Sequence, residues 1–291
     1  MSFDIFSAVT DRIIAQLEQG VIPWQKPWTG VQGGAYSGTT GKPYSLVNQM
    51  LLGKPGAWFT YKEVTKRGGY VRKGEKCSMV VFWKQLPITE HSDDETQEPK
   101  LKYIPVLKYF NVFHISQCEG LTEEARQPAI EQPTSAEAEK VIADYLSREM
   151  LTMEHRAGDE AYYSPSRDCV VVPLREQFTQ TAEYYSTAFH ELAHSTGHST
   201  RLNRLAATAH FGNEIYSKEE LVAEIGAAAL MNYTGTETDR AFKNSAAYIQ
   251  SWLSALKNDK RLIVSASGAA AKAVDYIIAG ETKAPLQEKN D

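Results

Sequence analysis

The stretch YYSTAFHELAHSTGHSTRLNR, Tyr184 to Arg204, constrains this chain more than any other. His190 and His194 are four residues apart, so on a helix they share a face and two imidazoles can meet one ion. Glu191 lies one residue on, where a carboxylate can take a proton from a water and return it to a leaving amine. This is the H-E-x-x-H pattern of zinc peptidases. Tyr185, Ala188, Phe189, Leu192 and Ala193 supply a packing face. Gly197 marks where the helix should stop. A fold that uses this motif must bring a third ligand to this helix, from the loop after it or from a second element, because catalytic zinc usually keeps three protein ligands.

The second element is found in SKEELVAEIGAAALM, residues 217–231. Glu220 and Glu224 are again four apart on a helical pattern. One can bind the ion while the other accepts a hydrogen bond from a ligand imidazole and fixes its tautomer. Glu219 is a further neighbour. His198 is the weaker alternative as third ligand: the glycine of the H-x-x-G-x-x-H extension is present as Gly197, but Thr200 stands where its histidine should be. For an oxyanion donor the candidates are Tyr184, Tyr185, Tyr216 and His198. The short apolar run Cys169–Val172 reads as a strand in front of the helix, placed to hold an extended peptide by main-chain hydrogen bonds.

The first half has a different chemistry. Residues 1–84 carry eleven Lys/Arg against five Asp/Glu, although the whole chain of 291 residues has a formal net charge of −5. Between Trp58 and Lys84, seven Lys/Arg are interleaved with Trp58, Phe59, Tyr61, Tyr70, Phe82 and Trp83. Cations follow phosphates and aromatic faces stack on bases, the combination that a single-strand binder needs. The expected DNA contacts are Trp24, Lys26 and Trp28 on a proline-stiffened loop, then Trp58, Tyr61, Lys62, Lys66, Arg67, Tyr70, Arg72, Lys73, Lys76 and Trp83.

Between the halves, residues 117–137 are rich in proline, glutamine and acid. The expected domains are therefore 1–125 for DNA and 136–291 for the metal site, joined by a linker at 126–135. An acidic loop at 88–100 should separate two strands, the second over 102–115. Two further helices are expected between Asn244 and Gly280. Cys77, Cys118 and Cys169 are isolated, so no disulfide framework is expected. No run of 18 apolar residues is present and the N-terminal pattern is an acid-bearing amphipathic helix, so we expect no membrane partner and a cytoplasmic location.

The two halves together resemble the ArdC-type plasmid antirestriction proteins. The resemblance rests on IPWQKPW (22–28), WFTY (58–61), GGYVRKGEK (68–76) and VVFWK (80–84), then FHELAHSTGH with RLNR (189–204) and EELVAEIGAA (219–228). It implies an α+β chain in which an N-terminal α+β single-stranded-DNA-binding domain is fused to a helix-rich, zincin-like (gluzincin-like) metallopeptidase domain with a small sheet. Similarity to the gluzincin helix makes Glu220 the ligand and Glu224 the support of a histidine. It further implies protection of incoming plasmid DNA from restriction during conjugation, a divalent metal (zinc first, manganese or another second) and a possible protein substrate. The alternative is a non-catalytic coat on single-stranded DNA whose metal site is structural.

Overall fold

In the computed structural model, the described residues are 3–25, 34–90, 100–121, 135–205, 214–236 and 245–279. Helix α1 (Ile5–Glu18) starts at Asp4, whose carboxylate accepts from the Phe6 amide at 3.0 Å. Its stripe Val9, Ile13, Ile14 and Leu17 is buried. Strand β1 (Ala35–Ser37) leads to α2 (Leu46–Leu52), which ends at Gly53 with φ 57°, a left-handed turn that glycine adopts without strain. Strand β2 (Gly56–Thr60) then runs into α3 (Tyr61–Lys66), capped by the Thr60 hydroxyl on the Glu63 amide.

Strands β4 (Ser78–Glu90) and β5 (Lys100–His114) pair from Ser78 opposite Val112 to Glu90 opposite Lys100 as a long antiparallel ribbon. The sheet order is β1-β2-β5-β4, with β1 and β2 parallel. The short strands β3 (Tyr70–Val71) and β6 (Cys118–Glu119) pair beside it. The acidic stretch is thus narrower than expected: the strands continue to Glu90 and resume at Lys100.

The second half is an α-helical layer on a small sheet. Helix α4 (Ser135–Glu149) precedes β7 (Thr152–Arg156), β8 (Tyr162–Ser164) and β9 (Cys169–Pro173), ordered β7-β9-β8. Helices α5 (Thr181–Ser195), α6 (Glu214–Tyr233), α7 (Ser245–Asn258) and α8 (Leu262–Ala279) follow. The fold is α+β, with the two-part layout that the sequence implies. Most of the expected linker lies outside the described residues.

The two halves share a core. One buried cluster joins Val9, Ile13, Leu17, Trp24 and Met50 to Leu221, Ile225, Trp252, Leu256 and Ile263. Trp24 meets Trp252 edge-on with ring centroids 5.0 Å apart. Polar groups close the same seam. Thr10 donates to the Lys260 carbonyl at 2.7 Å, and Lys260 pairs with Asp11 at 2.7 Å. A second cluster packs α5 (Ala188, Phe189, Leu192) against α4, β9 and α6 (Ala227, Leu230, Met231). Helices α5 and α6 approach closely because the contact is Ala193 on Gly226; a Cβ at Gly226 would sit 3.3 Å from that of Ala193. This approach brings the acids of α6 to the histidines of α5.

Candidate metal centre and nucleic-acid interface

The rings of His190 and His194 stand nearly perpendicular, at 79°, and their Nε2 atoms are 3.1 Å apart. Glu220 faces both: Oε1 is 3.4 Å from His194 Nε2 and Oε2 is 3.7 Å from His190 Nε2. His190, His194 and Glu220 each offer a donor atom, all within 4.8 Å of one another. Among the described residues they are the one such group. Two imidazoles and a carboxylate converging on one point, with their outer nitrogens held elsewhere, fit a divalent cation.

Both outer nitrogens meet an acid. Glu224 Oε1 lies 3.7 Å from His190 Nδ1, and Glu219 Oε1 lies 3.4 Å from His194 Nδ1. Glu219 is in turn gripped by Arg204, with Nη2 donating to Oε1 at 2.8 Å and Nε to Oε2 at 3.2 Å. Arg204 also donates to Thr196 Oγ1 at 2.8 Å and to the Ala193 carbonyl at 2.9 Å. The loop after α5 folds back to deliver this arginine. Gly197 is its closest point: an added Cβ would lie 2.8 Å from the Leu205 side chain. Arg201 holds the same loop to the sheet turn through Asp168 and Tyr163, and donates to the Ser195 carbonyl at 2.8 Å. Glu219 and Arg204 thus carry a role that helical spacing does not reveal. The pair of arginines in RLNR was the signal available.

Charge follows this geometry. Burial opposes protonation of His194, but Glu219 and Glu220 outweigh it and lift the imidazole to about 10. His190 is likewise raised: burial pulls it down, and the acids around it, Glu220 first, overcome that. Burial works against ionisation of Glu220 and Glu219, yet both are held below the usual carboxylate range, Glu220 by the two histidines and Glu219 by His194 and Arg204. Glu224 differs: burial dominates and raises it. Glu191 is buried on α5.

Several expectations fall away. The His198 ring hydrogen-bonds Thr200 at 2.8 Å and is not in the metal group. The Tyr184 hydroxyl is engaged by His155 at 3.0 Å and Arg175 at 3.1 Å. That of Tyr185 donates to Glu139 at 2.7 Å. The Tyr216 side chain lies outside the described residues. Strand β9 cannot hold a peptide by its edge. It is the central strand, paired with β7 on one side and β8 on the other, so its main-chain groups are already used. The open edges belong to β7 and β8.

In the first half, burial divides the expected DNA contacts. Trp24 and Trp58 are 2% and 4% exposed, which removes their faces from stacking. Both anchor cores, and Trp58 spends its indole N–H on the Lys54 carbonyl. Lys26 and Trp28 lie outside the described residues. Tyr61, Tyr70 and Trp83 are exposed. So are Lys62, Lys66, Arg67, Arg72, Lys73 and Lys76. Two of these cations are partly spent: Arg67 sits over the Phe59 ring and donates to the Gly38 carbonyl, and Arg72 pairs with Glu75 at 2.8 Å and with the Ser116 carbonyl. The ribbon adds residues that were not among the expected contacts, of which Lys108, Phe110, Tyr103 and Tyr109 lie outside the segment read as basic and aromatic. Phe82 is opposite Lys108, and Val80 opposite Phe110, so Phe82, Lys84, Lys108 and Phe110 share one face. Phe110, Lys84 and Lys108 are exposed on it, and Tyr103 and Tyr109 are exposed on the other.

Known proteins resemble both halves. Residues 3–113 match the family described as the N-terminal domain of anti-restriction factor ArdC, and residues 137–269 match a zincin-like metallopeptidase family. Two DNA primase TraC proteins of Escherichia coli are 37% and 36% identical, over 94% and 97% of this chain. The chain spans only 20% and 27% of their lengths. The uncharacterized protein y4eC of Sinorhizobium fredii (strain NBRC 101917 / NGR234) is 30% identical over 98% of this chain and 95% of its own. The crystal structure of the antirestriction ArdC protein from plasmid R388, metal-free, superposes with a TM-score of 0.72 at 36% identity, covering 94% of this chain and 97% of that one. Its Mn(II)-bound form gives 0.72 at 35%, with the same coverage. Among the described residues no helix is long and apolar enough to cross a membrane.

Proposed function

This chain belongs to the ArdC-type antirestriction family, and from that premise we propose that it guards incoming plasmid DNA by binding it as a single strand and that its second half is a metal-dependent peptidase. The convergence of His190, His194 and Glu220 carries the metal part. These three hold the cation, while Glu219 and Glu224 orient the imidazoles. When bound, a divalent ion there supplies Lewis acidity. Glu191 acts as the base, taking a proton from water and passing it to the leaving amine. Zinc suits two imidazoles and a carboxylate. The Mn(II)-bound R388 relative supports manganese as the second choice. The DNA part is supported by Tyr61, Tyr70 and Trp83 standing exposed in the same half as Lys62, Lys66, Lys73 and Lys76. Transferred DNA arrives in the cytoplasm, which is where this reading places the protein.

A coat without catalysis would protect DNA equally well. The buried Glu191 favours the enzyme, because a purely structural site has no use for it. Glu191→Gln keeps the size and polarity of the side chain and removes the base. Conjugation into a restricting recipient should lose protection, with metal content and DNA affinity of the purified variant unchanged. Undiminished protection would assign the function to DNA binding alone.

A further inference from the structure

Strand alternation gives the sheet β1-β2-β5-β4 two faces, and they are built differently. On one, Phe59 and its cross-strand neighbour Phe113 meet α3. Val64 shares a cluster with Phe59, and the Tyr61 ring stands 6.4 Å from that of Phe113. This is the side that carries Tyr61, Lys62 and Lys66. On the other face, Trp58, Val80 and Val112 form a separate cluster with Tyr44 and Phe82 packed on it. Beyond this cluster the second face continues along the β4–β5 ribbon. Its rings step outward from the core: Tyr44 lies 6.0 Å from Phe82, and Phe82 lies 5.8 Å edge-on from Phe110, which is 50% exposed.

The register sorts charge as well. Lys84, Lys102 and Lys108 all fall on this second face, and from Ser78 to Leu86 and from Lys102 to Val112 it holds no acid. The opposite face of the ribbon holds no lysine over the same span. Lys108 lies across from Phe82, and Lys84 is the next residue of that face on β4, so their Cβ atoms are about 7–8 Å apart. Both lysines are exposed, and neither has an ion pair or hydrogen bond among the described residues. A free ring beside two unpaired cations on an acid-free face matches a single strand: a base stacks on Phe110 while neighbouring phosphates reach the lysines. A duplex offers phosphates but no open base face, and an apolar protein surface leaves the lysines unmatched. On the reading that this half binds single strands, we infer that the outer face of the ribbon is a second seat for single-stranded DNA. The sheet separates it from the α3 side, so one chain holds two segments of a strand.

The test titrates the full chain with a fluorescent thymine strand of about eight nucleotides, a length within the span of one small site. Protein is held well above the dissociation constant, so the break point counts sites. We expect two equivalents per chain. Phe110→Ala should weaken one of them about tenfold and Lys84→Gln the same one a few-fold, while Tyr61→Ala weakens the other. A thymine strand of about thirty nucleotides should bind at least about tenfold tighter than the short one, because its second contact is intramolecular, and Phe110→Ala should abolish that gain. One equivalent in the parent overturns the second seat, whichever variant weakens it. Two equivalents indifferent to both ribbon variants overturn it as well. Should Phe110→Ala leave DNA binding intact but dissolve self-association in sedimentation, the face belongs to a second copy of the chain and not to DNA. A parent that binds no single strand at all fails the DNA reading itself, and the second seat falls with it.

Discussion

The metal cluster and the aromatic, basic surface obey different rules. At the cluster, His190, His194, Glu220 and Glu224 lie on two helices with four-residue spacing, and the helical repeat alone puts each pair on one face. At the surface, residues of the same types have opposite fates. Tyr61 is 60% exposed, whereas Trp24 is 2% exposed in a core shared with α7 and α8. A site built from local periodicity declares itself. A surface does so only after the whole chain has folded, because exposure is decided by elements distant in sequence.

The sharpest test of the cluster is His190→Ala. We expect bound metal to fall from about one equivalent per chain to nearly none, since only one imidazole and one carboxylate remain. Retained metal at full stoichiometry would place the ion elsewhere. The surface is tested by a contrast. Trp24→Ala should cost about 3–5 kcal/mol of stability, because it empties the seam against Trp252, and leave the DNA affinity of the folded fraction unchanged. Tyr61→Ala should change stability by under about 0.5 kcal/mol and weaken single-strand binding by about 1–3 kcal/mol. Denaturant melts and anisotropy titrations on both variants separate the two roles. The reverse pattern would mean that burial misidentifies the stacking residues.

How far the site can be read from sequence depends on how local its causes are. The resemblance picks Glu220 as the candidate ligand, but the pairing of His190 with His194 and of Glu220 with Glu224 follows from spacing alone. The role of Glu219 does not follow from spacing, because its partner Arg204 arrives through a loop that turns at Gly197. The apolar run Cys169–Val172 was a readable strand, but its neighbours were not, and the pairing of β9 on both sides removes it as a docking edge. A run of buried residues with no polar alternation is itself the mark of a strand covered on both faces. The division into two halves was legible from composition, and the family matches to 3–113 and 137–269 fall on either side of it. The shared core was not legible, because Trp24 and Trp252 are 228 positions apart in the chain.

Orientation of the imidazoles gives the next effect. Glu219→Gln or Arg204→Ala should lower metal affinity about 10- to 100-fold, the usual cost of losing an outer partner. Glu224→Gln should fall at the low end, because burial already disfavours its charge. Competitive chelator titrations rank the three, and a larger loss for Glu224→Gln would reverse the assignment. Protons compete with metal at the same rings. His194 is raised to about 10 by its acids, so at neutral pH the ion must displace its proton. Metal affinity should therefore rise with pH, up to about tenfold per unit below that value. Stability of the metal-free protein runs the opposite way. The folded imidazole titrates above its unfolded value, so its contribution is complete below about 6.5 and is lost as pH climbs toward 10. Melts with chelator and chelator titrations over pH 6.5 to 9 test both signs, and a flat affinity would deny that the imidazoles are ligands.

The smallest effect bears on the ribbon face, which was not among the expected contacts. Lys108 is exposed on the β4–β5 ribbon, paired across to Phe82 and on the face that carries Phe110. A lysine that touches a phosphate of a single strand contributes about 0.7 to the slope of log affinity against log salt, through release of a counterion. Lys108→Gln should reduce that slope by about this amount and weaken binding a few-fold at about 0.1 M salt. Lys260→Gln is the control, because that ammonium is committed to Asp11 at 2.7 Å in the seam between the halves. Equal slopes for Lys108→Gln and the parent would take the ribbon face out of the DNA path and leave the strand to the side that bears Tyr61, Lys62 and Lys66. A slope lowered in both variants would mean that the measurement follows net charge and not contact, since each substitution removes one positive charge wherever it sits.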